Sequence, residues 1–157
     1  MLDQLDELYR EVILEHFKNP SHSGQISDAQ IHVEGANPLC GDELTLYVNL
    51  DGDHVTQARF TGKGCAISQA AASMLTAQLE GKTTREIGRL IETMKGLMLG
   101  KEPDPSVDLG DLEALAGVRK FPVRVKCAAL AWNVVEQALK NYSTQHTADS
   151  RQQPPPT

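Results

Sequence analysis

A chain of 157 residues, 40% hydrophobic and 23% charged, is long enough to bury one hydrophobic core and short for two. Fifteen basic against twenty-one acidic residues leave a net charge of −6, which repels phosphate backbones, so no nucleic-acid partner is expected. No apolar run approaches the roughly 20 residues that cross a bilayer, so no membrane partner is expected either. The opening stretch Met1-Leu2-Asp3-Gln4-Leu5-Asp6-Glu7 is acidic and amphipathic, unlike a signal peptide, and a cytoplasmic protein is expected.

Residues 2–18 carry Leu2, Leu5, Tyr9, Val12, Ile13 and His16 at helical spacing, which predicts an amphipathic helix ended by Asn19-Pro20. Ser21 to Gln30 is polar and reads as a loop, and Ile31-His32-Val33 as a short strand. Leu44, Leu46, Val48 and Leu50 alternate with polar or amphipathic residues, the period of a strand with one buried face. Asp51-Gly52-Asp53 makes a hairpin turn, and Val55 to Thr61 the returning strand.

After Gly62-Lys63-Gly64-Cys65, small apolar residues from Ala66 to Leu79 predict a tightly packed helix that stops at Gly81. Thr83 or Thr84 caps another, running to about Met98. Gly100 to Asp108, with Pro103 and Pro105, is a loop. A short helix is expected around Leu109–Ala116, and a final one from about Val123 to Asn141. This order predicts an α+β fold: an N-terminal helix, a small antiparallel sheet of about three strands, and C-terminal helices on one face. Residues 1–142 are expected to form a single domain, and 143–157, ending Gln-Gln-Pro-Pro-Pro-Thr, a disordered tail.

Three cysteines, an odd number, argue against a disulfide framework in a reducing compartment. Cys40 lies in a loop that leads into a strand, Cys65 opens a helix, and Cys127 falls early in the last helix on its inward face. The positive ends of two helix dipoles are expected to ease deprotonation of Cys65 and Cys127, with Lys63 and Arg124 reinforcing the effect. Asp42 adds a carboxylate two residues after Cys40, and Gly41 lets the two side chains turn to one point. Three thiolates and a carboxylate suit a closed tetrahedral zinc site, with bonds of about 2.0–2.3 Å. Separations of 25 and 62 residues are less specific than paired Cys-x-x-Cys knuckles, so buried structural thiols remain the competing reading. The five histidines show no ligand spacing, and His16 reads as a satisfied core histidine.

Asn37-Pro38-Leu39-Cys40-Gly41-Asp42, Gly62-Lys63-Gly64-Cys65-Ala66-Ile67-Ser68 and Arg124-Val125-Lys126-Cys127-Ala128-Ala129-Leu130-Ala131-Trp132 closely resemble the iron–sulfur cluster assembly family that includes IscU, NifU and SufU. Leu8 to Pro20 resembles the same family, and the likeness covers about residues 5–141. Lys126 stands where IscU-type scaffolds carry a histidine before the third cysteine. Phe121-Pro122-Val123-Arg124-Val125 replaces their Leu-Pro-Pro-Val-Lys segment. The stretch between Cys65 and Cys127 is longer, the extra residues falling within Gly96 to Ala116. All three departures resemble the SufU branch.

The resemblance implies an IscU/SufE-like fold and zinc held by Cys40, Asp42, Cys65 and Cys127, with Arg124 and Lys63 in support. It implies a zinc-dependent sulfurtransferase that accepts persulfide sulfur on Cys40 from a SufS-type cysteine desulfurase, a desulfurase histidine displacing Cys40 from zinc. The sulfur then passes to a SufBCD-type assembly complex. The alternative is an iron–sulfur scaffold that holds transient iron or a 2Fe–2S cluster. A third reading is a zinc module that only mediates binding.

Overall fold

In the computed structural model, which describes residues 2–152 and the burial of side chains from 7 to 143, the first element is helix α1, Leu2–Lys18. Strands β1 (Ile31–Asn37), β2 (Asp42–Asp51) and β3 (His54–Lys63) form an antiparallel sheet in the order β1-β2-β3. Leu44, Leu46, Val48 and Leu50 point into the core while their neighbours face outward, as the period of two requires. β1 is longer than Ile31-His32-Val33 because Gly35 and Ala36 continue the pairing with Leu44 and Glu43. The two strands thus form a hairpin whose turn is Pro38-Leu39-Cys40-Gly41.

On β3 the inward residues are Val55, then Ala58 and Phe60. This change of parity coincides with a register shift at Asn49/Leu50, a bulge that turns Thr56 outward. Helix α2 (Ala66–Leu79) buries nearly its whole circumference, including Ala70, Ala71, Met74 and Leu75, and its small residues permit close approach to the sheet. Helix α3 (Thr84–Met98) starts with a capping box in which Thr83 and Glu86 satisfy each other's backbone N–H groups. Buried Ile87, Leu90, Ile91 and Met94 form its apolar stripe.

The expected helix near residues 109–116 is a 3₁₀ segment, Gly110–Lys120, that buries Leu112, Leu115 and Val118. Helix α4 (Pro122–Gln152) begins next to it, after Phe121. It continues to Gln152, into the stretch whose composition pointed to a disordered tail; residues 153–157 lie outside the described residues. Tyr142 anchors α4 to the sheet by donating a hydrogen bond to the Gly52 carbonyl in the β2–β3 turn. The core therefore lies between the inner face of the sheet and α2 and α4, and α1, α3 and the 3₁₀ segment close its sides. The α+β class read from the sequence is the observed one.

Candidate metal centre

The β1–β2 hairpin builds the first half of the site. Asn37 and Asp42 are the cross-strand pair that closes it, and the Cys40 N–H donates to the Asn37 carbonyl at 3.2 Å across the turn. Gly41 adopts φ +70°, a conformation open to glycine at little cost, and this reverses the chain between Cys40 and Asp42. Cys40 is half-buried at the turn, behind the 72% exposed side chain of Leu39. Asp42 is fully buried.

Cys65 is the N-cap of α2, and its Sγ accepts from the Ser68 N–H at 3.4 Å. Its own backbone N–H donates to Asp42 Oδ1 at 2.9 Å, which ties the start of α2 to β2 and leaves Asp42 Oδ2 turned elsewhere. Cys127, in the second turn of α4, is 2% exposed, and its Sγ lies 3.3 Å from Cys40 Sγ. One donor atom each from Cys40, Asp42 and Cys127 all fall within 4.8 Å of one another. Cys65 stands just outside that trio in the same cleft and adds to the rise that burial imposes on the Cys127 thiol. All three cysteines line one cleft of about 910 Å³, walled by Tyr9 and Ile13 of α1, Val118 of the 3₁₀ segment, and Phe121 and Val123.

The electrostatics of Cys127 differ from the expectation of an eased deprotonation. Burial pushes its thiol well above the ordinary range, and Cys40, Asp42 and Cys65 push it further in the same direction. Desolvation among other acidic groups outweighs the helix dipole, because a buried thiolate loses its hydration. The Lys63 ammonium lies 3.5 Å from Glu43, its side chain is exposed, and it lines a neighbouring cleft. Arg124 does line the cysteine cleft, with its guanidinium carbon 5.6 Å from the Phe121 ring centre.

The trio of Cys40, Asp42 and Cys127, with the sulfur of Cys65 in the same cleft, is a soft and partly buried donor set that fits a divalent metal of zinc's preference. His16 is satisfied in another way. Its Nδ1 meets Ser73 Oγ at 2.8 Å and its Nε2 meets Asp111 Oδ2 at 2.7 Å, so it joins α1, α2 and the 3₁₀ segment. Sequence reasoning gave Asn37 no role, although its buried amide reaches both Asp42 and Cys127. The available signal was its place three residues before Cys40, inside the motif Asn37-Pro38-Leu39-Cys40-Gly41-Asp42.

Residues 8–128 match the family model described as the NifU-like N terminal domain. The chain is 48% identical over 135 residues to the zinc-dependent sulfurtransferase SufU of Bacillus subtilis, covering 86% of this chain and 91% of that one. It is 40% identical to the iron–sulfur cluster assembly scaffold protein IscU of Streptococcus pyogenes, over 94% and 93% of the two chains. The crystal structure of FiSufU from Fervidobacterium islandicum, described as a scaffold protein for a SUF system, superposes with a TM-score of 0.78 at 41% identity. That likeness covers 82% of this chain and 94% of FiSufU. With the hairpin, the helix caps and the cysteine cleft all falling inside the matched span, the chain belongs to the NifU-like N-terminal domain family of iron–sulfur cluster assembly proteins.

Proposed function

We propose that this protein is a cytoplasmic, zinc-dependent sulfur carrier for iron–sulfur cluster assembly, which accepts sulfur on Cys40 from a SufS-type cysteine desulfurase and yields it to a SufBCD-type complex. The convergence of Cys40, Asp42 and Cys127 on one point, with Cys65 beside them, carries this reading. The four residues would hold zinc, whose charge keeps thiolates ionised near neutral pH without redox chemistry. Similarity to a relative named as a zinc-dependent sulfurtransferase supports the same reading.

Of the three sulfurs, Cys40 is the one suited to receive cargo. It sits on a glycine-flanked turn at the cleft, whereas Cys127 is buried and Cys65 is tied to the start of α2. In the transfer, the Cys40 thiolate attacks the outer sulfur of the desulfurase persulfide. The S–S bond breaks, its electron pair leaves with the desulfurase cysteine as thiolate, and Cys40 becomes the persulfide. Lys126, exposed beside Cys127, offers no ligand in the place of the scaffold histidine. That observation favours sulfur transfer over cluster assembly on this chain.

The test is desulfurase turnover with and without this protein, together with its metal content. Faster turnover with about one zinc per chain, abolished by Cys40→Ala, is expected. Stimulation that survives Cys40→Ala sinks the assignment. A 2Fe–2S spectrum passed to an apo-acceptor would instead support the scaffold reading.

A further inference from the structure

We infer that Asn37 is a positioning residue for the metal centre: its side-chain amide holds the Asp42 carboxylate and the Cys127 sulfur in the orientation in which both bind one ion. The inference rests on the zinc-site reading above and adds a residue that is not itself a ligand.

Asn37 ends β1 and Asp42 begins β2, and the two are direct cross-strand partners, so their side chains share the inner face. Both are buried, Asn37 to 9% exposure and Asp42 completely. Asn37 Nδ2 donates toward Asp42 Oδ2 at 3.4 Å and toward Cys127 Sγ at 3.8 Å. An amide nitrogen carries two hydrogens, one for each acceptor. The amide oxygen in that place would face a carboxylate and a sulfur, so the chemistry of the neighbours sets the orientation.

The division of labour on Asp42 completes the picture. Oδ1 is fixed by the Cys65 N–H at 2.9 Å, which settles the plane of the carboxylate. Oδ2 accepts one proton of Asn37, and its further lone pair is the one a cation would take. Asn37 thus joins two ligand residues that lie 85 positions apart in sequence and arrive from opposite layers of the fold, β2 and α4. It holds the pair from the side of the sheet, leaving the cleft side to the cargo. Donors of this kind, one shell out from the ion, typically change metal affinity by about 10- to 100-fold when removed.

The experiment compares full-length wild type with Asn37→Leu, which keeps the volume and loses the donor, and Asn37→Asp, which keeps the shape and presents an acceptor. Zinc loss to excess chelator is followed for each, and the visible spectrum is recorded after cobalt substitution. Both variants are expected to release zinc at least roughly tenfold faster and to shift the cobalt ligand-field bands, Asn37→Asp more than Asn37→Leu. Thermal unfolding of the zinc-stripped variants is expected below that of stripped wild type, because buried Asp42 loses a donor, so the cobalt spectrum and the zinc release rate carry the inference. Wild-type release rates with superimposable cobalt spectra overturn the inference. So does a loss of stability in the stripped variants with an unchanged cobalt spectrum, which marks a purely structural asparagine. Should one variant fail to fold, the other decides between these outcomes. Wild type that takes up no zinc refutes the site reading itself, and its arm reports this independently of either variant.

Discussion

A Cβ built on Gly64 would fall inside the van der Waals envelope of Asp42 Oδ1, with Asp42 Cα at 2.9 Å and Ser68 Oγ at 2.8 Å. Gly64 also adopts φ +149°, a conformation that side chains disfavour. The glycine therefore lets the chain pass so close to the carboxylate that the next N–H, that of Cys65, can bind it. Gly64→Ala is expected to lower stability by about 2–4 kcal/mol and to empty the metal site. Thermal unfolding and metal content check both effects together, and full zinc occupancy in this variant would contradict the account.

Gly35 plays the matching part on the far side of Cys127. A Cβ there would meet Val134 Cγ2 at 2.5 Å and Leu130 Cδ1 at 3.2 Å, so α4 seats itself directly on the backbone of β1. Gly35→Val is expected to push α4 away from the sheet, at a cost of about 1–3 kcal/mol from overpacking. Because Cys127 rides on α4, zinc should also leave the variant faster than wild type in a chelator assay. Destabilisation without faster zinc loss would show that the first turns of α4 are held independently of this contact.

His16 links three elements through Ser73 Oγ and Asp111 Oδ2, and Ser73 Oγ also accepts from the Ser21 N–H at 2.7 Å. With Ser73 donating its hydroxyl proton to Nδ1, the neutral imidazole donates from Nε2 to Asp111, and every group is satisfied. His16→Ala leaves the buried Ser73 short of a partner and frees the 3₁₀ segment from α1. The expected loss is about 1–3 kcal/mol, with faster amide exchange concentrated in residues 110–120. Exchange rates there matching those of wild type would remove His16 from that role.

Much of this could be read from the chain alone, because strand alternation and helical spacing are local signals. Leu44 to Leu50 and the stripe Ile87, Leu90, Ile91, Met94 declared their faces without help from neighbours. The extension of β1 to Asn37 was hidden because Gly35 and Ala36 have little strand preference, and pairing with β2 supplies what they lack. The four proposed ligand residues stood out as motifs, but the state of Cys127 was not legible. Burial and the acids around it are set by tertiary packing, which sequence position does not report. The ion pair of Lys63 was hidden for the same reason: closeness in sequence to Cys65 gave no hint that Glu43 lies across the strand pair.

The α3 capping box makes a pH prediction. Hydrogen bonds from the Thr83 backbone and hydroxyl hold the Glu86 carboxyl below its usual value of 4.5. A depressed folded pKa means that this contribution is present above the unfolded value and is lost as pH falls through the folded one. Glu86→Gln should therefore flatten the stability profile below about pH 4.5 and leave the slope near neutrality alone. Parallel acid limbs for the variant and wild type in chemical denaturation would contradict it.

Cys127 gives the opposite sign at the alkaline end. Its thiol in the metal-free fold is held far above its usual value of 9.0, chiefly by burial. The unfolded thiol ionises near that value, so above about pH 9 the unfolded chain binds fewer protons than the folded one. Stability of the zinc-stripped protein should then fall as pH rises, by up to about 1.4 kcal/mol per unit from this group. With Cys127 as a proposed zinc ligand, loading with zinc would deprotonate the folded thiol, so the alkaline decline from this group should vanish, and stability should instead fall on the acid side as protons compete for the sulfur. Denaturation curves of stripped and loaded protein between neutral and alkaline pH test the sign directly. Identical alkaline slopes in the two forms would mean that Cys127 does not bind the metal.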